Sequence, residues 1–217
     1  MSDLTLIIGN KNYSSWSLRP WVFLKQYNIE FEEIRVPLFT ETTDEELAQY
    51  DSDFKVPILK DKDLLIWDSL SILEYLSENY LDAKGLPADP EARAVARSVC
   101  AEMHSSFGNV RNEFPMNCRK KFNNIKPSKE AAREIERIKA LWNKCRSSYG
   151  KDGEWLFGNY SIADAMFAPI VLRFEGYNIP LEGVEKAYVD SVMKQPCIIG
   201  WIAAGKQEKE VIEMDEI

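Results

Sequence analysis

The sequence predicts a mixed α+β domain followed by an all-α domain, on three observations. Strand and helix signals alternate as far as Tyr80, a segment containing Gly85, Pro87 and Pro90 then interrupts all periodicity, and only helical patterns occur after it. These observations place the first domain at residues 1–80, a linker at 81–90 and the helical domain at 91–217. With 217 residues, the chain is long enough for two units of ordinary size.

Leu4 to Ile8 is a short β-branched and apolar run closed by Gly9-Asn10, as expected of a buried strand and its turn. A helical pattern follows through Trp21, Val22, Leu24 and Lys25 to Tyr27 and stops at Asn28. Phe31 to Val36 alternates polar and apolar as a second strand, so the three elements form a parallel crossover unit. Thr40 to Gln49 is acidic and suits a short exposed helix. Val56-Pro57-Ile58-Leu59 and Leu64-Leu65-Ile66-Trp67 flank Lys60-Asp61-Lys62-Asp63 as a hairpin-like pair, and Ser69 to Tyr80 carries an apolar helix face at Leu70, Ile72, Leu73 and Leu76. Asp89-Pro90 is an N-cap and first-turn pair opening a long helix with Val95, Val99, Met103 and Phe107. Ser128 opens another, with Ile135, Ile138, Leu141 and Trp142 on its buried side, ending near Gly150. Ser161-Ile162-Ala163-Asp164 resembles a capping box with Asp in the last place, a folding element rather than a catalytic one. Two shorter helices are expected, one before Pro196 and one through Trp201, ahead of a charged tail from Lys206.

Composition excludes several function classes. Thirty-five acidic against 27 basic residues give a net charge of -8, which repels nucleic acid phosphates and anionic lipid surfaces. Arg119-Lys120-Lys121 is the one basic run, and a run this short reads as a solvated loop or helix end. No apolar run approaches the length of a membrane span, and Asp3 precedes the first apolar stretch where a secretory signal would place basic residues. A soluble chain retained in the cytoplasm is expected. Cys100, Cys118, Cys145 and Cys197 fit neither a redox pair nor zinc-ligand spacing, and His104 is the only histidine. Chemistry must therefore come from hydroxyls, carboxylates, helix ends or a bound co-substrate.

Pro20 bears on where hydroxyls are available. A proline is tolerated where its missing N–H has no intrahelical partner, within the first turn. Regular hydrogen bonding is then expected to begin near Ser17, leaving Ser14 and Ser15 in the loop ahead of the helix. A kinked helix that starts earlier is the competing possibility. On spacing alone, these serines are as well read as helix caps.

The order strand-helix-strand, strand-strand-helix, helical bundle resembles the cytosolic glutathione transferase family, a thioredoxin-like domain followed by a helical one. Tyr13-Ser14-Ser15-Trp16-Ser17-Leu18-Arg19 is similar to the Ser-Ser-x-Ser-x-Arg segment of the zeta class, where serine-type members keep a catalytic hydroxyl. Lys55-Val56-Pro57 resembles the family's segment with a cis-proline before the third strand, Trp67-Asp68-Ser69 its acidic-Ser pair before the third helix, and Ser161 to Asp164 its capping motif.

The resemblance implies a role for each position. Ser14, and after it Ser15, would donate a hydrogen bond to the glutathione sulfur, assisted by the helix dipole. The Val56 backbone, held by cis Pro57, would pair with the cysteinyl part of glutathione like an added strand, with Lys55 at the glycyl carboxylate. Ser69 would bind the γ-glutamyl carboxylate and Asp68 would lie near its ammonium group. His104, Phe107 and Arg111, at i, i+3 and i+7 on the long helix, would border the electrophile pocket, with Trp16 as a wall from the first domain. A lone histidine beside an apolar stripe also fits a purely structural role, and Trp16 equally suits interface packing.

The expected function is a glutathione transferase, with glutathione as co-substrate, no tightly bound cofactor, no metal and a homodimeric assembly. A glutathione-dependent cis-trans isomerase of the maleylacetoacetate type is the alternative, favoured by the double serine and Arg19. Trp16 and Trp21 depart from that class, which usually has cysteine and a second arginine there. A non-catalytic binding protein on the same scaffold is the third reading.

Overall fold

The computed structural model describes residues 4–50 and 52–217; Asp3, ahead of the first strand, lies outside the described residues. Strand β1 (Leu4–Ile8) is followed by helix α1 (Ser15–Gln26), strand β2 (Glu32–Arg35), the short helix α2 (Thr43–Leu47), strands β3 (Ile58–Asp61) and β4 (Leu64–Trp67) and helix α3 (Ser69–Tyr80). The sheet order is β2-β1-β3-β4. β1 runs parallel to β2, as the crossover pattern requires, and antiparallel to β3, which pairs antiparallel with β4.

Alternation along the central strands separates two layers. Leu4, Leu6 and Ile8 of β1 and Leu59 of β3 join the main core with Leu18, Val22 and Phe23 of α1 and Leu73 and Leu76 of α3. Ile7 and Ile58 point to the other face, against Val36 and Leu47. This accounts for the near-continuous apolar run of β1, which is covered on both sides.

Six helices follow: α4 (Pro90–Ser105), α5 (Gly108–Glu113), α6 (Lys129–Tyr149), α7 (Ile162–Gly176), α8 (Gly183–Met193) and α9 (Pro196–Gln207). The expected caps form. Asp89 accepts from Ala92 N–H at 2.8 Å with Pro90 in the first turn, and Ser128 accepts from Ala131 N–H at 3.1 Å. Asp164 accepts from the Ser161 N–H at 2.9 Å and hydroxyl at 3.0 Å and from Leu156 N–H at 3.0 Å. Burial pushes its carboxyl up to about 6 against these donors. Apart from the half-buried Glu175, α7 is buried all round and packs on both α1 and α4, so it is the post around which sheet layer and helices meet.

Two expectations are corrected. Helix α1 begins at Ser15, not near Ser17, with Ser14 as N-cap and Pro20 inside the helix. Pro20, at the sixth position of the helix, leaves the carbonyl of Trp16 without its usual i+4 donor. The long helix does not reach Phe107. It stops at Ser105, Ser106 is extended, and Phe107 takes a left-handed conformation (φ 63°) before α5 restarts at Gly108. Arg111 Nη2 donates to the carbonyls of Met103 and of His104 (3.2 Å), supplying donors that the broken helix lacks. Arg119-Lys120-Lys121 lies in a loop, as expected, with both lysines exposed, and each of the three residues has a partner. Arg119 donates to the carbonyls of Glu208 and Glu210, both at 2.8 Å, Lys120 pairs with Glu216, and Lys121 pairs with Glu175 at 2.8 Å. The first two fasten the C-terminal tail across the mouth of the sheet domain.

Candidate functional site

The loop between β1 and α1 is held on several sides. Asn10 C=O accepts from Ser14 N–H at 2.7 Å, and the Glu208 carboxylate accepts from Lys11 N–H at 2.8 Å and Asn12 N–H at 2.9 Å. Gly205 of α9 lies so near that an added Cβ would meet the Asn12 amide nitrogen at 3.0 Å. The loop therefore delivers the two serines to a defined place.

Their hydroxyls are not equivalent. Ser14 is 7% exposed; its Oγ donates to Ser17 Oγ at 2.8 Å and accepts from Ser17 N–H at 3.4 Å, while Ser17 Oγ accepts from Gly9 N–H at 3.1 Å. Ser15, the first residue of α1, accepts from Arg173 Nη2 at 3.2 Å. Its own proton has no protein acceptor among the described residues. Tyr13 presents a third hydroxyl, but it donates to Glu216, and burial together with that carboxylate raises its pKa. The thiols offer no alternative: all four cysteines are free, and burial pushes Cys118 and Cys145 up to about 12 and Cys100 higher still.

Two cavities meet in front of these serines. The first, about 590 Å³, is lined by Lys55, Val56, Pro57, Asp68 and Ser69 together with Trp16, Trp67 and His104. The Val56–Pro57 peptide bond is cis. The Val56 N–H and C=O pair with no backbone group among the described residues, leaving that edge open. Asp68 caps α3, Oδ1 accepting from Leu70 and Ser71 N–H at 3.0 Å each, while Oδ2 pairs with His104 Nε2. Burial works to raise its carboxyl, but Ser71 N–H, His104 and Leu70 N–H outweigh it and hold the group below the usual carboxylate range. Ser69 Oγ accepts from Arg19 Nη1 at 3.3 Å, and Lys55 Nζ reaches Asp53 at 2.6 Å on the exposed rim.

The second cavity, also about 590 Å³, contains Ser14, Ser15, Trp16, Lys55, Val56 and Arg111. Trp16, Lys55 and Val56 are common to both, so the cavities are contiguous. Arg19 Cζ lies 4.1 Å and Arg111 Cζ 4.9 Å from the Trp16 ring centroid, with His104 edge-on at 5.5 Å. Trp16 is thus a shared wall rather than interface packing alone.

Ten of the eleven sequence candidates line one or both cavities. Phe107 lines neither. The break in the helix turns it into the core, where it is 3% exposed. Arg173 and the tail residues Ile212 and Asp215 were not anticipated. A basic residue within the otherwise apolar run from Ala165 to Phe174 is the signal that could have revealed Arg173. Trp21 faces away from the site, its Nε1 donating to Glu33 at 2.6 Å and its ring packing on Trp201 at 5.1 Å. Among the described residues no group of His, Cys, Asp and Glu could hold a metal ion, and no helix is long and apolar enough to cross a membrane.

Residues 13–79 match the family described as glutathione S-transferase, N-terminal domain. A probable maleylacetoacetate isomerase from Caenorhabditis elegans is 34% identical over 98 residues, 45% of this chain and 45% of that protein, so the match spans under half of either. Maleylacetoacetate isomerase from Rattus norvegicus is 28% identical over 171 residues, 77% of this chain and 76% of that protein. A glutathione transferase homolog from Burkholderia GL BGR1, solved with bound glutathione, superposes with a TM-score of 0.67 at 24% identity, covering 95% of this chain and 99% of its own. Residues 13–79 thus match the N-terminal domain of the glutathione S-transferase family, and over nearly its whole length the chain has the fold of the glutathione transferase homolog.

Proposed function

We propose that the chain is a glutathione transferase that binds glutathione along the first cavity and activates its thiol at Ser15 for attack on an electrophile in the second. The observation that carries this reading is the Ser15 hydroxyl. It accepts from Arg173, keeps its own proton available, and lines the second cavity next to Trp16, which is common to both. A guanidinium donating to an oxygen polarises its O–H toward a further acceptor, which strengthens the bond to a developing thiolate. Trp16 N–H, in the open first turn of α1, has no protein acceptor among the described residues and adds to the field favouring negative charge. A free glutathione thiol, with a pKa of about 8.5 to 9, is mostly protonated at neutral pH, so this field is what catalysis requires. Because Ser14 Oγ already donates to Ser17 Oγ as the cap of α1, we take Ser15 rather than Ser14 as the hydroxyl that meets the sulfur.

For the rest of glutathione, the open Val56 edge suits the cysteinyl backbone. Ser69 at the N-terminus of α3 suits the γ-glutamyl carboxylate, with Asp68 near its ammonium group, and Lys55 suits the glycyl carboxylate. His104 then acts through Asp68 rather than on the electrophile. Titrating the ultraviolet thiolate absorbance of bound glutathione tests the proposal; a thiol pKa no lower than that of free glutathione overturns it.

The isomerase alternative is favoured by the maleylacetoacetate isomerase matches. It predicts isomerisation of maleylacetoacetate with no net loss of glutathione, which a direct assay decides. We further propose domains at 1–80 and 91–217 joined by 81–90, consistent with α3 ending at Tyr80 and α4 starting at Pro90. A cytoplasmic homodimer active in detoxification, with no tightly bound cofactor and no membrane or nucleic acid partner, completes the proposal.

A further inference from the structure

The second cavity carries more positive charge than thiol activation requires. Arg173 is 6% exposed, and every acceptor it reaches is neutral: Arg111 C=O at 3.1 Å, Phe114 C=O and Ser15 Oγ at 3.2 Å. Its Nε is buried with no partner among the described residues. Arg111, on the same wall, commits Nη2 to two carbonyls, and Arg19 lies behind the Trp16 ring. None of the three forms an ion pair with a carboxylate among the described residues. Asp44 and Asp215 stand on the cavity wall, and Asp215 acts on Arg173 only at longer range. Burial depresses all three guanidinium groups, and repulsion from neighbouring guanidinium groups adds to it at Arg19, lowered to about 9, and at Arg173, lowered to about 10, so both remain cations at neutral pH; Asp68 acts in the opposite direction on Arg19 and Glu134 on Arg111.

A buried cation without a counter-charge is unfavourable, and an arriving anion relieves it. Capping the ends of α4 and α5 explains the carbonyl contacts, which a neutral donor would satisfy as well. It does not explain repelling guanidinium groups around one cavity. Leu38, Phe39, Met116 and Ile212 line the remaining wall and suit a carbon skeleton.

Resting on the transferase reading above, we propose that the second cavity selects an electrophile bearing a carboxylate, held by Arg111 and Arg173 beside the sulfur at Ser15. The planar guanidinium fork matches a carboxylate and gives it one orientation. For a chloroarene substrate, the thiolate forms the C–S bond as the C–Cl bond breaks. Chloride leaves with the bonding pair.

The test uses a matched pair, 4-chloro-3-nitrobenzoate and 4-chloro-3-nitrobenzamide. Their binding is measured by calorimetry with the unreactive S-methylglutathione in the first cavity, and their turnover with glutathione. The acid is expected to bind about tenfold more tightly than the amide, a preference worth about 1.4 kcal/mol. Arg111→Gln, at a half-buried position, is expected to reduce that preference below about threefold; Arg173→Lys serves as the second variant. Equal binding of the pair, or a preference unchanged in folded Arg111→Gln, overturns the carboxylate site while leaving conjugation standing. A preference for the acid without turnover of either compound upholds the site and overturns conjugation.

Discussion

Replacing Ser15 by alanine separates the roles of the two serines. In the proposed complex the Ser15 hydroxyl donates to the thiolate while accepting from Arg173 at 3.2 Å. A hydrogen bond to a charged acceptor contributes about 1.5–3 kcal/mol, and one pKa unit corresponds to about 1.4 kcal/mol. Ser15→Ala is therefore expected to raise the bound thiol pKa by about 1–2. Turnover at neutral pH should fall by about tenfold or more and recover as the pH is raised past the new pKa. Ser14→Ala removes instead a cap whose partners are Ser17 N–H and Ser17 Oγ. It should lower stability by about 1 kcal/mol and leave the thiol pKa unchanged. The assay is the thiolate absorbance titration on both variants, with denaturant unfolding in parallel. An unchanged pKa in Ser15→Ala, or a raised one in Ser14→Ala, refutes the reasoning that the serine with the free proton is the one used.

Other perturbations are equally specific. Ser69→Ala should weaken glutathione binding about tenfold by calorimetry, roughly one charge-assisted hydrogen bond, without moving the thiol pKa. Because the Asp68 carboxyl is held below its ordinary value of 3.8, its contribution to stability is fully present above that pH and is lost as the pH falls below it. The stability gap between wild type and Asp68→Asn should accordingly close in acid, measured by urea unfolding across pH. Asp164→Ala strands the Leu156 and Ser161 donors and should cost about 2–4 kcal/mol, with glutathione affinity of the folded fraction preserved.

Local chemistry explains which features were readable before the structure. Asp89-Pro90, Ser128 and the Ser161–Asp164 box announce helix starts because a cap and its partner lie within three residues. Contiguous motifs at Lys55-Val56-Pro57 and Asp68-Ser69 likewise reach one cavity, since each sits at a strand or helix start on the same side of the sheet. What escaped depends on contacts distant in sequence. Periodicity carries a helix through Phe107, but the break at Ser106 is stabilised by Arg111 reaching back to the α4 carbonyls, and it buries Phe107. Distinguishing Ser14 from Ser15 required Arg173, which is 158 residues from Ser15. Trp21 stands where the zeta class usually has a second arginine. α5 and α7 supply the charge instead, from Arg111 and Arg173.

The most direct measurement of the central claim is a crystal structure of the protein with bound glutathione. The account predicts the tripeptide extended from Ser69 past Val56, with its sulfur about 3.0–3.5 Å from Ser15 Oγ and facing the Arg111 and Arg173 wall. A sulfur placed against Ser14, or a tripeptide bound outside the cavity formed by Val56, Pro57 and Ser69, would contradict it.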